Sequence, residues 1–196
     1  RAYTSSPLPP PPAGAATIAV MTPPRWTPSV TVAAIIEADG RYLLVEEQTP
    51  EGLRLNNPAG HLERGESPLQ AVVREALEET ARPFAPESLV GVYLARFERP
   101  PRGDRAAEDI TYLRFAFAGR AGDAIPGRAL DAGIERTLWL TLDEVRASTA
   151  RHRSPLVLRC IEDHAAGRRH ALDAVVTDPS VGRPFTLSPG PGDAAA

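Results

Sequence analysis

The sequence carries one cysteine in 196 residues, which excludes an internal disulfide. Cys160 lies in an amphipathic stretch and reads as a small core residue rather than a nucleophile. A lone cysteine fits a reducing compartment, and the cytoplasm is the expected location. No apolar run approaches the roughly 18 residues of a membrane-spanning helix, and the N-terminus shows no apolar region of a secretory signal. Excess positive charge is missing too: the net charge is −3 and the sequence pI about 5.9, with 22 basic residues scattered along the chain. Neither nucleic acid nor a membrane is therefore the expected partner. What is present is 42% hydrophobic content, enough for one substantial core, so one folded domain is the default.

Proline and small residues mark the ends. Residues 1–28, including Pro9 to Pro12, have too little apolar periodicity to fold and read as a flexible Pro/Ala-rich arm. Met21 is the only methionine, and it is expected to be the natural start. The folded domain is expected over residues 29–180, followed by a flexible Pro/Gly/Ala tail over 181–196.

Between these ends the pattern alternates strands and helices. Val30 to Glu37 is β-branched and apolar, and Tyr42 to Glu46 follows across the turn Ala38-Asp39-Gly40, which predicts a hairpin. Leu53 to Asn57 reads as a short extended piece. Ser88 to Phe97 and Ile110 to Phe117 predict two longer strands joined by a polar loop, either a substrate lid or a hairpin tip. In the second of them Arg114 alternates away from Phe115 and Phe117, so it either meets phosphate or sits on the surface. Ile134 to Leu140 predicts another strand, and Thr141 with Glu144 caps a short helix. A further helix is expected from Ser154, as cap with Pro155 first, to Ala166, ended by Gly167. Ala171 to Val176 predicts a last short strand. Strands, an acidic helix, more strands and a closing helix together predict an α/β sandwich with a mixed sheet.

The stretch Gly60 to Arg82 organises the rest. Ser67-Pro68-Leu69-Gln70 has the form of a capping box with proline at the first helical position. From there Leu69, Val72, Val73, Ala76 and Leu77 recur at the spacing of one buried stripe. Glu75, Glu78 and Glu79 share the opposite arc. Three glutamates so close repel by a few tenths of a kcal/mol per pair, and a bound divalent cation reverses that sign. Magnesium takes such hard oxygen ligands together with water and phosphate oxygens. Arg74 can pair with Glu78, and Glu66 can reach Arg74.

Gly60, five residues, Glu66, seven residues, then Arg74-Glu75-Ala76-Leu77-Glu78-Glu79 resembles the Nudix box of the Nudix hydrolase superfamily. Two positions depart from it: the box's final glycine is Ala81 here, and the apolar residue after it is Arg82. A left-handed alanine costs roughly 1 kcal/mol or more, and Pro83 disfavours helix at Arg82. The helix is therefore expected to end near Thr80 by a geometry other than the left-handed one.

The resemblance implies an α/β/α Nudix fold and hydrolysis of a diphosphate-containing small molecule. Asn57 to Glu63, Tyr112 to Phe115 and Arg153 to Val157 are similar to the bacterial NudJ-type phosphatase subfamily. That resemblance implies Mg²⁺-dependent release of terminal phosphate from nucleoside di- and triphosphates, or from hydroxymethylpyrimidine and thiamin diphosphates, with Mn²⁺ a possible substitute. It assigns metal binding to Glu75, Glu78, Glu79 and the Gly60 carbonyl, and the base to Glu79 or Glu75. Arg74 and Glu66 would orient the acids. Asn57, His61, Arg114 and Arg153 are the candidate substrate contacts, and Glu135 a candidate acid from outside the box. Two alternatives stand beside this reading: a diphosphatase for ADP-ribose-like or dinucleotide substrates, and a non-catalytic binding module, which would be expected to lose the box acids. A monomer and a homodimer are both compatible with the sequence.

Overall fold

The computed structural model describes residues 25–101, 103 and 106–182. The expected arm up to residue 24, Met21 with it, and the tail from residue 183 lie outside the described residues. Among the described residues seven strands and three α-helices follow in order: β1 Ser29–Ala38, β2 Arg41–Thr49, β3 Gly52–Asn56, β4 Ala59–His61, α1 Pro68–Thr80, β5 Phe84–Arg99, β6 Glu108–Ala121, β7 Ile134–Thr141, α2 Leu142–Ala147 and α3 Leu156–Ala165.

β1 and β2 form the expected hairpin. Asp39 and Gly40 both take positive φ, 51° and 74°, the two-residue turn whose twist matches the strands. Only Glu37 and Ala38 of β1 pair with β2; beyond them β1 leaves its partner, and Thr31, Val32 and Ala33 pair with β4. On its other edge β1 runs parallel to β6, which forms an antiparallel hairpin with β5. β2 lies between β3 and β7. The sheet is thus mixed, in the order β3-β2-β1-β6-β5 with β4 against β1 and β7 against β2.

Alternation along β1 feeds two cores. Val32, Ala34 and Ile36 pack with Leu43, Phe117 and the Ala71, Val72 and Ala76 face of α1. Ala33 and Ile35 pack with Leu44, Ala116 and the Val157, Cys160 and Ile161 face of α3. Each fully buried large apolar side chain contributes about 1.5–3 kcal/mol, and this double burial anchors β1 between helix layers. The α/β/α sandwich is as expected, and Cys160 is a fully buried core residue.

Four expectations need correction. α1 does end at Thr80, but Ala81 takes the left-handed conformation, φ 54° and ψ 23°, and its N–H donates to the Leu77 carbonyl. The Ala81 carbonyl also accepts from Ile125 N–H at 2.8 Å, so the exit is held from both sides and the strain is tolerated. Ser154 does not cap α3: Pro155 stands at the cap with helical φ and ψ, and the Ser154 hydroxyl makes no hydrogen bond. The stretch 171–176 is not a strand. Only His170 bridges β5, exchanging two backbone hydrogen bonds with Leu89, and a 3₁₀ turn follows at Leu172–Ala174. Arg114 is not a surface arginine, since it is 8% exposed.

β5 and β6 also run further than expected. Pairing continues to Arg99 opposite Glu108, which makes the connection a hairpin tip. Pro86 is tolerated because β5 is an edge strand with a register shift at that point.

Candidate active site

α1 starts as its sequence dictates. Gln70 N–H donates to Ser67 Oγ at 3.1 Å, and Ser67 N–H donates to Gln70 Oε1 at 2.8 Å. With the apolar stripe fixed against β1, the acidic arc turns toward β4 instead of solvent. Glu75 and Glu79 are each only 8% exposed. A solvated acidic face would leave both carboxylates in water, so the burial decides against that reading.

Arg74 gathers the acids. It grips Glu66 with two hydrogen bonds, Nη2 to Oε1 at 2.7 Å and Nε to Oε2 at 3.1 Å, the fork geometry that makes arginine the strongest carboxylate partner. Its Nη1 donates to Glu75 at 2.8 Å and to Glu78 at 3.1 Å. Nη2 also reaches the His61 carbonyl at 3.1 Å, tying the network to the end of β4. Glu66 in turn accepts from Glu63 N–H at 2.7 Å. These bonds, Arg74 first, hold the Glu66 carboxyl below its usual range.

Glu79 is held separately, by the Ala59 N–H at 2.8 Å. Burial pushes its carboxyl up to about 8; Ala59 opposes the shift, while Glu75, Glu47 and Asp131 add to it. Glu75 is raised as well, first by burial and then against the pull of Arg74. Gly60 makes room for this arrangement, because a Cβ at that position would overlap the Glu75 carboxylate. Glu47 and Asp131 were not singled out from the sequence. Asp131 precedes β7 and its N–H donates to the Glu78 carbonyl at 2.9 Å. Neither belongs to a recognisable local pattern, and only the fold brings them near.

Such a group of hard oxygen donors, with two carboxyls raised by burial and by neighbouring acids, has the charge and donor chemistry that a divalent cation satisfies. No three of the described His, Cys, Asp and Glu side chains converge on a single point; Arg74 takes up oxygens of Glu75 and Glu78.

Toward α3 from β4 lies a cavity of about 200 Å³, with Glu47, Asn56, Gly60, His61, Arg114 and Arg153 among its lining residues. The structure therefore brings His61, Arg114 and Arg153 to one place beside Gly60. Asn57 is buried and does not line the cavity. Glu135 is exposed on β7 and does not line it either. Arg153 Nε stands 3.5 Å from Glu47 Oε1. Burial raises the Glu47 carboxyl, while Arg153, Asn56 and Arg114 oppose that shift. A wider cavity of about 530 Å³, lined by Pro50, Arg54, Phe97, Pro101 and Arg153 among others, shares Phe97 and Arg153 with the first.

Buried Glu75 and Glu79 on a capped helix, one held by Arg74 and the other by Ala59 N–H, face a glycine-bearing turn in an arrangement that resembles a Nudix-type site. The NUDIX domain profile matches residues 25–160. The chain belongs to the Nudix family, enzymes that hydrolyse phosphoanhydride-type bonds in small phosphorylated molecules and generally use a divalent metal. More narrowly, it is 32% identical over 151 residues to Phosphatase NudJ of Escherichia coli, a match covering 76% of this chain and 92% of that protein. A NUDIX hydrolase structure from Nitrosomonas europaea is 49% identical with a TM-score of 0.68, over 78% of this chain and 98% of that one. A MutT NUDIX hydrolase from Burkholderia pseudomallei, 21% identical with a TM-score of 0.53 over 70% of this chain and 98% of that one, shares the fold.

Proposed function

We propose that this enzyme releases terminal phosphate, from nucleoside di- and triphosphates or from hydroxymethylpyrimidine and thiamin diphosphates, in the cytoplasm and with Mg²⁺ as its metal. The observation that carries the reading is the buried Glu79 carboxylate, fixed by Ala59 N–H and surrounded by Glu75, Glu47 and Asp131. The likeness to a protein named a phosphatase, over nearly its full length, supports terminal release. Glu75, Glu78, Glu79 and the Gly60 carbonyl would hold Mg²⁺, and Mn²⁺ could replace it. Bound there, the ion would supply charge neutralisation at the phosphate oxygens and a lowered pKa for attacking water.

The chain's own groups do the rest. Glu79 takes the proton of the water whose oxygen attacks phosphorus, and the bond to the departing phosphate oxygen breaks in line with that attack. Glu75 is the neighbouring carboxylate, and Arg74 with Glu66 fixes its orientation. Arg153 and His61 stand where substrate would enter. The domain that does this spans residues 29–180. The test is a panel of diphosphates assayed with Mg²⁺, products resolved by chromatography. CMP or AMP with inorganic phosphate from the nucleoside diphosphates is the expected result. AMP from ADP-ribose, with no phosphate from nucleoside diphosphates, would instead indicate a diphosphatase, and no turnover of any substrate would indicate a binding module.

A further inference from the structure

Among the described residues, seven side-chain nitrogen or oxygen atoms are buried without a hydrogen-bond partner. Six of them belong to residues lining the 200 Å³ cavity: Thr31 Oγ1, Glu47 Oε1, Asn56 Oδ1, Arg114 Nε and Nη1, and Ser154 Oγ. Each such atom costs about 1–3 kcal/mol when left unsatisfied, and native interiors hold only a few. Their concentration in one cavity marks a polar lining whose hydrogen bonds water or a ligand completes. Thr31, Asn56 and Arg114 are themselves at least nine-tenths buried.

The mixture of groups identifies the ligand's chemistry. Glu47 Oε1 and Asn56 Oδ1 can only accept, whereas Arg114 can only donate. A phosphate group brings acceptors, so it would leave both oxygens unmatched and would meet the Glu47 charge. A ring edge carrying an amino group beside a ring nitrogen presents a donor and an acceptor together. Aromatic side chains line the same cavity: Tyr112 lies 5.6 Å from Phe97 and 6.3 Å from His61 between ring centroids, and such rings offer apolar surface to a planar ligand. The volume, about 200 Å³, lies below the roughly 300–1,000 Å³ of pockets that enclose drug-sized ligands, so it suits a base rather than a whole nucleotide. Ala59 and Gly60 line the same cavity, and Ala59 holds Glu79.

We infer that Glu47, with Asn56 and Arg114, is the specificity-determining group of this enzyme: it reads the edge of a planar ring on the diphosphate and selects an edge bearing an exocyclic amino group beside an acceptor ring nitrogen. This rests on the phosphatase reading above, but its test separates the two. With Mg²⁺, the full chain should hydrolyse CDP with a kcat/KM at least about tenfold above that for UDP, the scale on which sites lined by buried polar groups reject mismatched ligands. Glu47→Gln should bring the CDP to UDP ratio close to one. Calorimetric titration of the metal-free chain should show CMP binding about tenfold tighter than UMP. Equal kcat/KM for CDP and UDP overturns the inference. If neither nucleotide is hydrolysed the assigned reaction is wrong, and the titration alone decides: CMP preferred supports the inference, equal or absent binding overturns it. If Glu47→Gln fails to fold, the CDP to UDP ratio of the unaltered chain decides.

Discussion

On the α1 side of β4 the polar side chains answer one another: Arg74 bonds Glu66, Glu75 and Glu78, and Ala59 bonds Glu79. On the α3 side they do so only in part: Arg153 Nε stands 3.5 Å from Glu47 Oε1, yet Thr31, Glu47, Asn56, Arg114 and Ser154 present atoms with no hydrogen-bond partner. The first region is ordered before any ligand arrives, which suits chemistry that depends on fixed charge. The second leaves its hydrogen bonds to be completed by whatever enters, which suits discrimination between ligands. One strand of three residues separates catalysis from selection.

The largest expected effect lies on the satisfied side. Glu79→Gln keeps the shape of the side chain and removes the proton acceptor, so phosphate release should fall by about 10²–10⁴-fold while the fold is retained. Circular dichroism beside the phosphate assay checks both halves of that statement. Gly60→Ala should act next, by pushing the Glu75 carboxylate out of its seat. A loss in kcat of about 10²-fold follows from misplacing one group by an ångström, and an unchanged kcat would show that Glu75 has no role in the reaction.

A pH experiment sharpens the contrast further. The Glu79 carboxyl rises from an ordinary 4.5 to about 8 in the folded chain. The unfolded chain therefore releases this proton near pH 4.5 while the folded chain keeps it until about pH 8. Its contribution to stability is fully present below pH 4.5 and is lost as pH rises through 8. In chelator, urea unfolding of the wild type should weaken across that window by an amount of order a few kcal/mol, and Glu79→Gln should flatten the slope. The smallest effect is at the helix exit. Ala81→Gly relieves a left-handed alanine and should stabilise the protein by about 1 kcal/mol, or roughly 2–4 °C in Tm.

The same contrast explains what was legible in the sequence. Glu66, Arg74, Glu75, Glu78 and Glu79 lie within one turn and one helix, so fixed spacing announces them, and the capping box at Ser67 and Gln70 locates the helix start. The cavity draws on β1, β2, β3, β4, β5, β6 and the start of α3 with its approach, segments that share no local pattern. Arg114 was visible as an arginine off the Phe115 face, but whether that face was solvent or cavity depended on α3 covering it. Ser154 and Pro155 imitate a capped helix start. The chain spends Arg153 N–H on the Leu55 carbonyl instead, at 2.8 Å, and starts the helix one residue later. Ala81 defeats a propensity argument because Leu77 and Ile125 fix its backbone, contacts that only the fold creates.

The central claim is that the buried glutamates of α1 exist to hold a divalent cation. Calorimetric titration of Mg²⁺ into the chelator-stripped full chain, beside Glu75→Gln and Glu79→Gln, tests it most directly. Saturable binding in the wild type, weakened at least about tenfold in each variant, is the predicted result. Absence of Mg²⁺ binding in the wild type, or binding that neither variant changes, would contradict it.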